Sequence, residues 1–123
     1  MRRLLFFILI FATLLWIANT MAVKYDLYFV TNWFDFVSHT LGGIVVSGAF
    51  IYISQLQSRF PKEIPVLIFV LFIGAAWEFF ELYMELIRTS APGYFLDTAA
   101  DLCFDIFGGH MSYLFARKNF YGR

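Results

Sequence analysis

The chain has 123 residues and no net charge; 61% of them are hydrophobic, 22% aromatic and only 15% charged. Soluble domains usually carry about 25% charged residues, so this composition, with a mean hydropathy of +0.72, excludes a small water-soluble core and points to lipid as the solvent. No basic run suggests a nucleic-acid partner, and the single Cys103 cannot form an internal disulfide.

Arg2 and Arg3 precede an apolar stretch from Leu4 to Ala18. Two readings of it are open: a signal peptide cleaved near Thr20-Met21-Ala22, or a retained first helix of about residues 3–19 with Trp16 at the interface. The topology below takes the helix as retained. The polar, aromatic stretch from Asn19 to Trp33 then lies along the membrane surface, with Tyr25, Tyr28, Phe29 and Trp33 in the headgroup layer. Three further spans, residues 34–57, 64–88 and 97–117, each offer the roughly 20 residues needed to cross as a helix. The turns between them contain Pro61 with Pro65, and Thr89 to Gly93; Asp97 and Thr98 form a start signal for the last helix, and Pro65 suits a helix start because its missing N–H would be unpaired there anyway. The reading is a single all-α membrane domain, residues 1–123, with four transmembrane helices in a compact bundle.

Arg2, Arg3, Arg59, Lys62, Arg117, Lys118 and Arg123 fall on one side of such a bundle, whereas only Lys24 and Arg88 fall on the other. The bias places both termini in the cytoplasm and the opposite end at the outer face of a multi-pass inner-membrane protein. Asp35 and His39 then lie in the first turns of the second helix, Glu78, Glu81 and Glu85 in the last turns of the third, and Asp97, Asp101 and Asp105 in the first turns of the fourth. At about 100° per residue, each helix gathers its acids into one stripe. Deeper in those stripes, Gly42, Gly43, Gly48, Gly108 and Gly109 mark close helix contacts.

Ionisable groups inside a membrane are costly and are functional by default. A metal site is expected from Asp35, His39, Glu78, Asp101 and Asp105, because carboxylates are hard oxygen ligands and imidazole adds affinity for Zn, Mn or Fe, with Mg the all-oxygen alternative. Glu81 and Glu78 are the catalytic candidates, Glu81 as general base. The Glu-x-x-His element of di-iron bundles is missing. Asp97 and Glu85 read as solvated caps or supporting groups, His110 as a packed polar residue and Cys103 as a small buried one. No organic cofactor is indicated.

Asp35-x-x-x-His39-x-x-Gly42, Trp77-Glu78-x-x-Glu81 and Asp97-Thr98-x-x-Asp101 followed by Gly108 resemble the pattern of the YjdF-like bacterial inner-membrane proteins. More distantly they are similar to VanZ-like proteins. The resemblance spans about Trp33 to Tyr113 and implies the fold and the site more than a reaction. Gly109 departs from the family's usual Ala, and family members tend to carry further hydrophobic segments upstream. Within the chain, Asp35/His39/Gly42-Gly43 and Asp101/Asp105/Gly108-Gly109 share one spacing, which either a parallel duplication or chance would produce.

Three functions follow as alternatives. The first is an enzyme of hydrolase or transferase type acting on a lipid headgroup or lipid-linked phosphate, with membrane lipid as partner. The second is a cation- or proton-binding transport module that works as a homo-oligomer. The third is a structural or assembly protein.

Overall fold

The computed structural model describes residues 1–31, 33–83 and 93–121, and the described residues form helices and turns only. The helices are α1 (Arg2–Lys24), α2 (Leu27–Val30), α3 (Phe34–Leu56), α4 (Glu63–Tyr83) and α5 (Tyr94–Ala116), followed by a π-helical turn, Arg117–Tyr121. The four long helices make an all-α membrane bundle. Helices α1, α3 and α4 are long and apolar enough to cross a membrane, and 23 residues of helix reach about 35 Å. Helix α5 also has 23 residues, and its Asp101 and Asp105 are buried between helices rather than turned toward lipid. Phe6, Ile10, Ile64, Phe72 and Phe79 point out of the bundle, as lipid-facing side chains do.

The first and last helices begin or end differently from the sequence expectation. Helix α1 continues to Lys24 instead of stopping near residue 19, because Met21, Ala22 and Lys24 sustain a helix and the Thr20 hydroxyl donates back to the Trp16 carbonyl at 2.8 Å. Helix α5 starts at Tyr94, one turn before Asp97, with Gly93 as its N-cap in a left-handed conformation at φ 87°. The Gly93 carbonyl accepts from the Leu96 and Asp97 amides at 2.9 Å, so Asp97 lies inside the first turn and caps nothing. The expected continuation of the third span to residue 88, and the turn at Thr89 to Pro92, lie outside the described residues.

Helices α3 and α5 run parallel and pack through small residues. A Cβ placed on Gly43 would fall on the Asp105 carbonyl, and one on Gly108 would fall on the Thr40 carbonyl. Only hydrogen at these positions lets the two backbones touch. Below the crossing, Ser112 Oγ donates to the Ile44 carbonyl at 3.1 Å, and Gly48 receives Ile8 of α1. Gly109 lies against Val70 of α4. Gly42 faces α5 less closely than Gly43: a Cβ there would meet only Asp105 Oδ1, at an ordinary 3.7 Å. Cys103, expected to be buried, is exposed, since it lies on the face of α5 turned about 200° from Asp101.

The two ends of the bundle differ in chemistry. At one end Leu4, Ile51, Val66, Tyr113 and Ala116 form a buried apolar cluster, with Phe60 stacked near Tyr113 and Tyr121 at centroid distances of 5.5 and 4.2 Å. The beginnings of α1 and α4 and the ends of α3 and α5 therefore meet there, beside Arg2, Arg3, Arg59, Lys62, Arg117 and Lys118. The acids gather at the other end.

Candidate metal centre

Asp35 and His39 stand one turn apart at the start of α3, and Asp101 and Asp105 one turn apart on α5. The close α3–α5 crossing brings these pairs together, and the last turns of described α4 add Glu78. His39 is the hub. Its Nε2 lies 3.7 Å from Asp35 Oδ1, 3.7 Å from Glu78 Oε1 and 4.0 Å from Asp101 Oδ1. Its Nδ1 faces Asp105 Oδ2 at 3.2 Å. His39, Glu78, Asp101 and Asp105 are all less than a tenth exposed, and Asp35 about a third.

Two of the oxygens around His39 Nε2, namely Glu78 Oε1 and Asp101 Oδ1, are buried with no hydrogen-bond partner among the described residues. A buried acceptor left unsatisfied costs about 1–3 kcal/mol, and more if charged. Two chemical states meet the requirement: a bound cation, or carboxyl groups that share protons among themselves.

The donor set fits a divalent metal. A four-coordinate ion with bonds of about 2.0–2.2 Å holds its ligand atoms roughly 3.5 Å apart, close to the separations around Nε2. Ligand atoms of Asp35, His39 and Asp101 lie within 4.8 Å of one another; Glu78 Oε1 stands 3.7 Å from the same Nε2 but outside that mutually close group of three. Asp105, expected as a fifth ligand, stands on the opposite ring nitrogen. Nδ1 and Nε2 point away from each other, so a carboxylate on Nδ1 is placed to hold the ring and its tautomer rather than to share an ion that Nε2 would bind.

Supporting contacts come from residues that the sequence reading used differently. Thr98 Oγ1 donates to Glu78 Oε2 at 2.9 Å, leaving Oε1 to face His39. Thr98 had signalled only a helix start, although it lies three residues before Asp101 on the same face. Replacing it with the near-isosteric Val is expected to destabilise the protein by about 1 kcal/mol and to weaken metal binding, checked by thermal melting with and without added metal. Trp77 Nε1 donates to Glu81 Oε1 at 2.8 Å. Glu81 is not among the groups within 4.0 Å of His39; it stands instead in the wall of a neighbouring cavity of about 180 Å³, whose charged and imidazole lining is Asp35, His39, Glu81 and Asp105, with Asn19 and Ser38 beside them.

Asp97 is exposed, and Glu85 lies outside the described residues. His110 is at the opposite end of the bundle, its Nδ1 2.5 Å from Glu63 Oε1, a half-exposed pair remote from the cluster.

A family model described as a predicted membrane protein, DUF2238, matches residues 2–120. The chain belongs to that family. No curated protein and no solved structure matches it significantly, so the VanZ likeness gains no support. Of the residues that carried the YjdF-like resemblance, Asp35, Glu78 and Asp101 meet around His39, with Thr98 behind them, whereas Glu81 and Asp97 stand apart from it. The shared spacing within the chain also has a spatial counterpart, since the equivalent positions His39 and Asp105 face each other across the parallel α3–α5 seam.

Proposed function

We propose that this protein, a YjdF-like member of its family, holds one divalent metal between Asp35, His39, Glu78 and Asp101. It uses that site on a phosphate carried by a lipid headgroup or a lipid-linked phosphate at the outer face of the bacterial inner membrane. The observation that carries the reading is the convergence of unpartnered buried carboxylate oxygens on His39. Mixed nitrogen and oxygen donors favour Zn, Mn or Fe over Mg. A metal there would supply Lewis-acid polarisation of a phosphoryl oxygen and a water of lowered pKa. Asp105 orients His39, Thr98 orients Glu78, and Glu81 stands at the cavity wall where a general base could take a proton from water.

Place supports the substrate class. The basic residues at the far end argue for a cytoplasmic orientation of that end, which sets the carboxylates at the depth of outer-leaflet headgroups. A transport route is less well supported, because the buried Leu4, Ile51, Val66 and Tyr113 cluster closes the bundle beyond the site. Structural glue is also a weaker reading: the α3–α5 seam already holds through backbone contact at Gly43 and Gly108 and the Ser112 bond.

Elemental analysis of detergent-purified protein is the test. Wild type should carry about one metal ion per chain, and Glu78→Gln should lose most of it, since removing one ligand from a closed set costs most of the affinity. Metal-free wild type, together with no turnover across a panel of phospholipids and polyprenyl phosphates, would refute the proposal.

A further inference from the structure

The cavity beside the cluster has two kinds of wall. Its polar side is formed by Asn19, Asp35, Ser38, His39, Glu81 and Asp105, and the rest is chiefly apolar, including Leu15 of α1, Val46 of α3 and Val70 and Ile73 of α4. Val46 lies seven residues beyond His39 and Val70 eight before Glu78, so the apolar part runs roughly 10 Å deeper into the bilayer than the acids. Helix α1 packs chiefly on α3, and α4 on α3 and α5, and a cleft lined from both α1 and α4 lies at this level. The cavity occupies that cleft, with Leu15 and Asn19 on one bank and Ile73 and Trp77 on the other. A hydrocarbon chain can therefore reach it sideways from lipid without crossing water.

Size limits what fits. A dry apolar cavity of about 150 Å³ accepts one benzene-sized group, so about 180 Å³ takes one short hydrocarbon segment, and the second chain of a phospholipid would have to stay outside it in the lipid. Gly42 contributes to this space: its Cβ position is free of close contacts, so hydrogen there leaves volume that the α3–α5 seam does not require.

We infer that the site takes a single-chain amphiphile whose one apolar chain ends in a phosphate, the chain lying between α1 and α4 along Leu15, Val46, Val70 and Ile73 and the phosphate beside His39. The inference deepens the metal-site reading and rests on it for the phosphate end, because the cavity's own charged walls are acidic. A prenyl phosphate and a lysophospholipid both have this chemistry.

Native mass spectrometry of the delipidated full chain in detergent would compare farnesyl phosphate, lysophosphatidic acid and phosphatidic acid, the last two differing in chain number but not in head. The single-chain probes should bind one per protein and about tenfold tighter than phosphatidic acid, a difference readily resolved as a shift in Kd. Gly42→Leu and Ile73→Trp, which fill the cavity from two different helices, should each weaken them at least about tenfold with metal content unchanged. The tighter of the two single-chain probes identifies the source of the chain. Equal binding of phosphatidic acid, or folded filled-cavity variants that bind like wild type, would overturn the inference. Metal content measured on the same samples separates the two ideas: metal without cavity-dependent binding defeats only this inference, and cavity-dependent binding without metal defeats the metal site.

Discussion

Gly43→Leu is expected to leave almost no folded protein in detergent, and Gly108→Val nearly as little, whereas Gly42→Ala one position away should melt at or above the wild-type temperature. The difference is geometric. A side chain at Gly43 must displace the Asp105 carbonyl, and one at Gly108 the Thr40 carbonyl. Overpacking against movable side chains already costs about 1–3 kcal/mol, and a helical carbonyl cannot move aside without breaking its own hydrogen bond. Against a total stability of about 5–15 kcal/mol, separation of α3 from α5 also removes Asp101 and Asp105 from His39. At Gly42 a methyl group meets only ordinary contact, and Ala gains about 1 kcal/mol of helix propensity over Gly. Size-exclusion profiles and thermal melts of the three variants check the expectation; a Gly43→Leu protein as stable as wild type would rule out backbone contact at this crossing.

Asp105→Asn should behave differently from Glu78→Gln in metal titration. If Asp105 holds His39 through Nδ1, the amide retains the shape of the contact but no longer raises the basicity of the ring. Loss of such a supporting carboxylate typically costs about 10–100-fold in metal affinity. Saturating metal should still reach the wild-type stoichiometry. Were Asp105 a direct ligand instead, its substitution would reduce stoichiometry as Glu78→Gln does. Acidification should release the metal in every variant, because imidazole and carboxylates bind it only when deprotonated, and it should do so at higher pH in Asp105→Asn, where the affinity to be overcome is smaller. Isothermal titration with Zn and Mn across pH distinguishes these outcomes.

Much of the arrangement was legible in the spacing of the acids. Glu78 is buried as its depth in the third span implied, and Asp35 with His39, and Asp101 with Asp105, lie one turn apart on the faces that meet. Local rules explain the errors at helix ends. Asp97 looked like a cap, but Gly93 can adopt the left-handed conformation that starts the helix a turn earlier. Thr98 was passed over because a hydroxyl near a helix start has an ordinary explanation in the helix itself; its bond to Glu78 crosses between helices. Gly42 and Gly43 were indistinguishable as neighbours in a Gly-Gly pair, yet one opens a cavity and the other carries the closest helix approach.

By itself the sequence determined the solvent, the three later spans and the common level of Asp35, Glu78 and Asp101, because hydropathy, helical rise and helical angle are properties of each segment alone. Tertiary structure decided which side of the imidazole each carboxylate meets, that Glu81 stands in a cavity wall apart from the His39 hub, and that a chain-sized cavity lies between α1 and α4. These depend on how the helices are rotated against one another. That rotation is set where two backbones touch at Gly43 and Gly108, a contact between segments more than sixty residues apart that no local pattern contains.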